Sequence, residues 1–388
     1  MKKSYLMIAA AATMLAACSS NDTFKEVDVQ ETPISFDQAL NKTTRAYISD
    51  KADLATEGGF KVFGYKTINN WAAIAQTVFN GITVSSEDNG VTWSYTNPRF
   101  WDKMGKYNFY AVAPVGPEDG ATYSINTADL TNNTSHDDYD ANAPYLKNKK
   151  FGFITITGAS SNKNGSSDDY LLARGGVLNE EGSSHIATNN AVTFNFHHVM
   201  TKVEIKLKST LDVEYGTIKV TNLKITGWNS NTGTFSQNSA TNPTTLSNSE
   251  WTIAAQNPLA GDITLVGTGC TQTYVEIPCD KNSNAANTKD VTDFCIMVPQ
   301  DISADQLTFT LDFTYYHDEN ETHTSTLDDD YNESYPTQVA TVSTAQTWGT
   351  DSHIIYTLDV KPAAITFDVN SICGFDAYTQ NYGPVTVY

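Results

Sequence analysis

The chain has 388 residues, 40% of them apolar, with 17 Phe, 20 Tyr and 6 Trp, which is enough for more than one core and excludes disorder along the whole length. Against 44 Asp and Glu stand only 24 Lys and Arg, and the resulting charge of −20 repels phosphate backbones and argues against a nucleic-acid partner. Charged residues make up just 18% of the chain, and Thr, Ser, Asn and Gly fill the polar positions, a mix suited to a β-rich exported protein.

The N-terminus reads as an export signal. Lys2 and Lys3 precede the apolar run Tyr5 to Ala17, which is the length of a secretory signal core and too short for a membrane span. Leu15-Ala16-Ala17-Cys18 resembles a lipobox, in which small residues fit the peptidase cleft and the Cys18 thiol receives a diacylglyceryl group. The alternative is an ordinary signal peptide in which Cys18 is incidental. Signal peptide 1–17 and a pro-segment 18–45 are therefore expected, with the lipid on Cys18 holding the chain to the outer membrane.

Residues 19–45 are polar, with one short alternation at Ile34-Ser35-Phe36 that reads as a single strand in a tether. Strand-like runs bounded by turn residues then recur at Phe60–Tyr65, Val91–Tyr95, Tyr107–Ala113, Phe151–Thr157 and Val192–Phe196. More follow at Val203–Leu207, Ile218–Ile225, Leu307–Tyr315 and Ile354–Val360. Val203, Ile205 and Leu207 fall on one side of such a strand and Glu204 and Lys206 on the other, as a half-buried antiparallel strand requires. Asn69–Phe79 is the best helix candidate. The pattern predicts an all-β protein of two tandem antiparallel β-sandwiches, 46–190 and 191–388, divided near the Gly-, Ser- and Asn-rich stretch that ends at residue 190.

Motifs for chemistry are sparse. The chain has no GxSxG elbow, HExxH pair or phosphate-binding glycine loop, so the sequence points away from an enzyme, and no cofactor or metal is expected. His197 and His198 are neighbours on a strand and point to opposite faces, which favours packing or hydrogen bonding over a shared metal. Asp138, Asp140 and Asn142 open like a calcium loop, but Ala143 and Lys149 stand where its turn glycine and bidentate Glu belong. That segment and Asp328-Asp329-Asp330 read as solvated loops. After Cys18 remain Cys270, Cys279, Cys295 and Cys373, which have the number for two disulfides but fit buried or unpaired thiols slightly better.

The order of several short motifs resembles the fimbrillin-like proteins, the type V pilins of Gram-negative oral and gut anaerobes. These motifs are the lipobox, Ile34-Ser35-Phe36, Thr43-Thr44-Arg45-Ala46, Phe60–Tyr65, Trp101 with Tyr107–Pro114, Tyr170–Ala173 and Phe194–Val203. Trp348-Gly349, Tyr356–Val360 and Ile365-Thr366-Phe367 complete the series, while Cys373-Gly374-Phe375 departs from relatives that carry a tryptophan there. The resemblance implies two transthyretin-like sandwiches and lipoprotein export to a cell-surface fimbrium. It also implies cleavage between Arg45 and Ala46, loss of the strand holding Ile34 and Phe36, and assembly with other pilin subunits by strand exchange. The donor would be a C-terminal strand at 384–388, with Val385 and Val387 facing inward. Without the resemblance, Arg45 is a basic residue in a linker and Val385–Tyr388 the last strand of its own sandwich. The competing function is a non-polymerising surface lipoprotein that binds a glycan or host ligand through aromatic loops around Trp71, Trp93, Trp101 or Tyr170.

Overall fold

In the computed structural model nearly every regular element is a strand. The structure describes residues 32–39, 48–68, 76–101, 105–117, 119–126, 153–163, 169–178, 191–211, 216–237, 246, 248–253, 261–279, 288–317, 332–362, 364–373 and 379–381. The first half holds β1 (Phe36–Ala39), β2 (Phe60–Ile68), β3 (Gln76–Val84), β4 (Gly105–Ala113), β5 (Thr122–Asn126), β6 (Phe153–Ser160), β7 (Asn162–Lys163), β8 (Leu171–Leu178) and β9 (Val192–His198). Then come β10 (Thr201–Lys208), β11 (Gly216–Thr226), β12 (Thr232–Ser236), β13 (Trp251–Ile253), β14 (Asp262–Val266), β15 (Val275–Cys279), β16 (Lys289–Asp290) and β17 (Cys295–Met297). The last are β18 (Gln300–Ile302), β19 (Thr308–His317), β20 (Asn332–Thr341), β21 (Gln346–Trp348), β22 (Ser352–Lys361), β23 (Ala364–Cys373) and β24 (Thr379–Asn381). A short helix, α1 (Lys51–Thr56), is capped by Asp50, whose carboxylate accepts from the amides of Ala52 and Asp53.

These strands build two β-sandwiches. The first sets a six-stranded sheet, ordered β1-β9-β8-β4-β2-β3, against a four-stranded one, β13-β12-β6-β5. Tyr110, Val112, Ile154, Ile156 and Phe235 fill the space between them. The second sandwich sets β24-β23-β22-β10-β17-β7 against β14-β11-β19-β20, around Ile205, Leu207, Leu311 and Tyr356. Most pairs are antiparallel, as the alternation requires, but β1–β9 and β10–β22 are parallel.

The sheets do not part at residue 190. Val192–His198 lies inside the first sandwich as β9, and β12 and β13 return from residues 232–253 to pair with β6 and each other. β7 in turn pairs with β17 of the second sandwich.

Two local readings are corrected. Val91–Tyr95 forms no strand, only a bridge between Ser85 and Ser94, because Asp88 closes a tight turn by accepting from the amide and hydroxyl of Thr92. The proposed helix ends in strand, since Gln76–Phe79 belongs to β3 and its β-branched and aromatic residues pair with β2. Cys279 and Cys295 are buried free thiols, and burial pushes the Cys295 thiol up to about 12. The segments around Asp138 and Asp328 lie outside the described residues.

Candidate functional site

The six-stranded sheet is covered on both faces. Away from the four-stranded sheet, Phe60, Phe79, Phe109 and Phe194 meet the leading segment, whose Ile34 and Phe36 are only 1% and 4% exposed. Period-two spacing turns both side chains inward, while Ser35 between them is exposed. Phe36 stacks on Phe194 at 5.7 Å between ring centroids and meets the edges or tilted faces of Phe79 (5.1 Å), Tyr95 (5.6 Å) and Phe109 (5.7 Å). Offset and edge-on rings at these separations are attractive beyond the area they bury.

The backbone of this segment is held from two sides. β1 adds to the edge of the sheet parallel to β9, with Phe36 opposite Val192 and Ala39 opposite Asn195, and the Val192 amide donates to the Ser35 carbonyl at 2.8 Å. On the other side, the Ile34 amide donates to the Arg99 carbonyl at 2.7 Å and the Trp101 amide to the Thr32 carbonyl at 3.0 Å. Tyr95 joins these two sides: its hydroxyl donates to the Ile34 carbonyl at 2.7 Å and accepts from the Arg99 amide at 3.1 Å. Burial raises the pKa of that phenol, with the Arg99 contacts pulling the other way. At the mouth of the slot Lys51 Nζ lies 3.6 Å from Asp37 Oδ1, both side chains about half exposed.

Beyond residues 40–47, the next described position is anchored. Ile48 is fully buried, and its amide donates to Asp169 Oδ2 at 3.4 Å. Asp169 Oδ1 lies 2.8 Å from His198 Nδ1, so His198 meets a hydrogen-bonding partner as its strand position suggests. His197 faces elsewhere, 3.8 Å from Asp351.

A family model described as fimbrillin-like matches residues 44–372. The chain belongs to the fimbrillin-like family. A fimbrial protein from Bacteroides vulgatus is similar in fold, with a TM-score of 0.55 and 17% identity over 87% of this chain and 98% of its own. A fimbrial assembly protein from Parabacteroides distasonis (TM-score 0.34, 10% identity, 91% of this chain and all of its own, 100%) and the tip fimbrial protein Mfa3 from Porphyromonas gingivalis (0.31, 10%, 82% and 96%) also match. No curated protein sequence matches the chain. Membership of the fimbrillin-like family supports a pilin or adhesion role in a fimbrium at the cell surface, and the family is one of structural and adhesion proteins rather than enzymes.

Of the residues singled out in this fimbrillin-like sequence, the structure brings Ile34 and Phe36 together in one slot. Cys18, Arg45, Ala46, Val385 and Val387 lie outside the described residues, as does Trp71. The described aromatic-loop candidates pack against the protein: Tyr170 and Trp101 are buried, and Trp93 lies half-buried with its ring 5.0 Å from Phe60. Tyr95, Arg99 and Lys51 carry no sequence signal as slot residues, because the contacts that define them span distant parts of the chain. Among the described residues no group of His, Cys, Asp or Glu could hold a metal, and no helix is long and apolar enough to cross a membrane.

Proposed function

We propose that this chain is a structural subunit of a type V fimbria that is exported as a lipoprotein on Cys18. Cleavage between Arg45 and Ala46 then frees its leading strand, and the subunit polymerises by accepting a strand from a neighbour. The observation that carries this reading is the leading strand itself: it completes a sheet edge, buries Ile34 and Phe36, and is followed within nine residues by the anchored Ile48. A cut between those two fixed points separates a removable plug from a body that keeps its own core.

The physical logic is competition. Burying two such side chains stabilises by roughly 3–6 kcal/mol before ordering costs. While tethered, the native strand acts at an effective concentration on the order of millimolar, which excludes competitors. Once cut, it diffuses away and leaves β9 with unpaired amides and carbonyls beside an apolar groove, the arrangement that invites strand addition. The fimbrillin-like match begins at residue 44, beside the expected cut, so the plug lies outside the matched region.

The test is to treat the full chain with an Arg-specific protease and follow its native mass. Conversion to ladders of high mass, with Ala46 as the new first residue and no conversion for Arg45→Gln, is the expected result. A chain that is cut at Arg45 and remains monomeric at high concentration overturns the reading.

A further inference from the structure

The slot that holds the leading strand is lined so as to select among strands. Its deep position is enclosed by the rings of Phe79, Tyr95, Phe109 and Phe194 around Phe36. Two residues earlier it takes the branched aliphatic Ile34, whose carbonyl is gripped by Tyr95. One residue after the aromatic it offers the Lys51 ammonium to a carboxylate. A strand running parallel to β9 satisfies all three positions only if it reads branched aliphatic, any residue, aromatic, acidic.

That pattern occurs at two places in the sequence: Ile34-Ser35-Phe36-Asp37, and Ile365-Thr366-Phe367-Asp368. The second copy lies in β23, beside the rim of its sheet. Among the described residues, Ile365–Val369 pairs with β22, and Asn370, Ser371 and Ile372 pair with β24. The tail offers Val385 and Val387 at the same spacing, which puts an isopropyl group where four rings surround a phenyl and leaves the box underfilled. Moved by one residue, it sets the hydroxyl of Thr386 in the aliphatic position.

Resting on the strand-exchange reading above, we infer that the slot is sequence-selective and that its occupant in an assembly is the Ile365–Asp368 stretch of a second copy of this chain, not Val385–Val387. Phe79, Tyr95, Phe109 and Phe194 are the specificity-determining residues, with Lys51 contributing less because its ion pair is exposed to solvent.

Labelled peptides spanning residues 32–39, 363–370 and 383–388 decide it, each titrated against the full chain nicked after Arg45. The 363–370 peptide is expected to bind within about tenfold of the 32–39 peptide, and the 383–388 peptide at least about tenfold more weakly than 363–370. Phe367→Ala within the peptide is expected to weaken binding by roughly a hundredfold or more, the scale of losing a buried phenyl. Because this change is made in the peptide, it cannot unfold the acceptor. Equal or tighter binding of the 383–388 peptide, indifference to Phe367→Ala, or failure of 363–370 where 32–39 binds overturns the inference while leaving strand exchange intact. Failure of the 32–39 peptide itself to bind a nicked chain that stays monomeric removes both.

Discussion

Tyr95 makes the leading strand more than an apolar plug, because its hydroxyl ties the Ile34 carbonyl to the Arg99 amide inside the protein. Tyr95→Phe keeps the ring beside Phe36 and removes both hydrogen bonds, at an expected cost of about 1–2 kcal/mol in chemical denaturation. In the nicked chain the same substitution should speed release of the leading peptide, since both lost bonds hold it or its neighbour. Elsewhere, Glu204 shows how a single buried carboxylate ties stability to pH. Burial works to raise its pKa, but His353 Nε2 at 3.1 Å and Lys202 Nζ at 2.8 Å prevail and hold it down to about 2. Its contribution is therefore full above the ordinary value of 4.5 and is lost as pH falls from there toward 2. Glu204→Gln leaves the buried Lys202 ammonium without its counter-charge and should cost roughly 3–5 kcal/mol at neutral pH. The deficit relative to the unmodified protein should shrink steadily in denaturation series between pH 4.5 and 2, and a constant deficit would show that this carboxylate carries no acid sensitivity.

At the scale of elements, the slot depends on how closely β2 lets two rings approach. A Cβ on Gly64 would lie 2.8 Å from Phe79 Cδ2 and 2.9 Å from Phe109 Cδ1, the rings on which Phe36 rests. Gly64→Ala should therefore overpack the floor of the slot, destabilise the chain by about 1–3 kcal/mol and loosen the leading peptide in the same titration that measures its affinity. Alternation was enough to find β2, β4, β9, β10, β11 and β22, and it put Val203, Ile205 and Leu207 on the core side of β10. It failed on Glu204, expected toward solvent, because Lys202, His353 and the Phe294 ring beneath the Lys202 ammonium cover that outer face. Two of these partners lie about ninety and a hundred and fifty residues away, and no local spacing announces them. The leading strand was legible for the same reason as the others: two apolar residues at period two in a polar stretch. The walls of its slot were not, since Tyr95 sits in a run whose composition reads as strand although a turn at Asp88 claims it.

Over the whole molecule, the sheets do not divide at the composition shift near residue 190. The chain completes the first sandwich only after it: β9 lies between β1 and β8, and β12 and β13 extend the sheet that β6 begins. Ile296 and Val298, from a later part of the sequence, pack into the core between those same sheets. A fragment ending at residue 190 lacks the strand that carries Phe194 and half of its four-stranded sheet, so it exposes both apolar faces of the six-stranded sheet at once. It should remain open to proteolysis and give collapsed near-ultraviolet circular dichroism. A fragment ending at residue 253 regains β9, β12 and β13 and should gain protection, yet fall short of the full chain because Ile296 and Val298 are still missing. The full chain should lose its two sandwiches in one transition, since β7 pairs with β17 and couples them through backbone hydrogen bonds. Two separated thermal transitions, or a 190-residue fragment as protease-resistant as the full chain, would show instead that the sandwiches fold independently and that these crossings are incidental to stability.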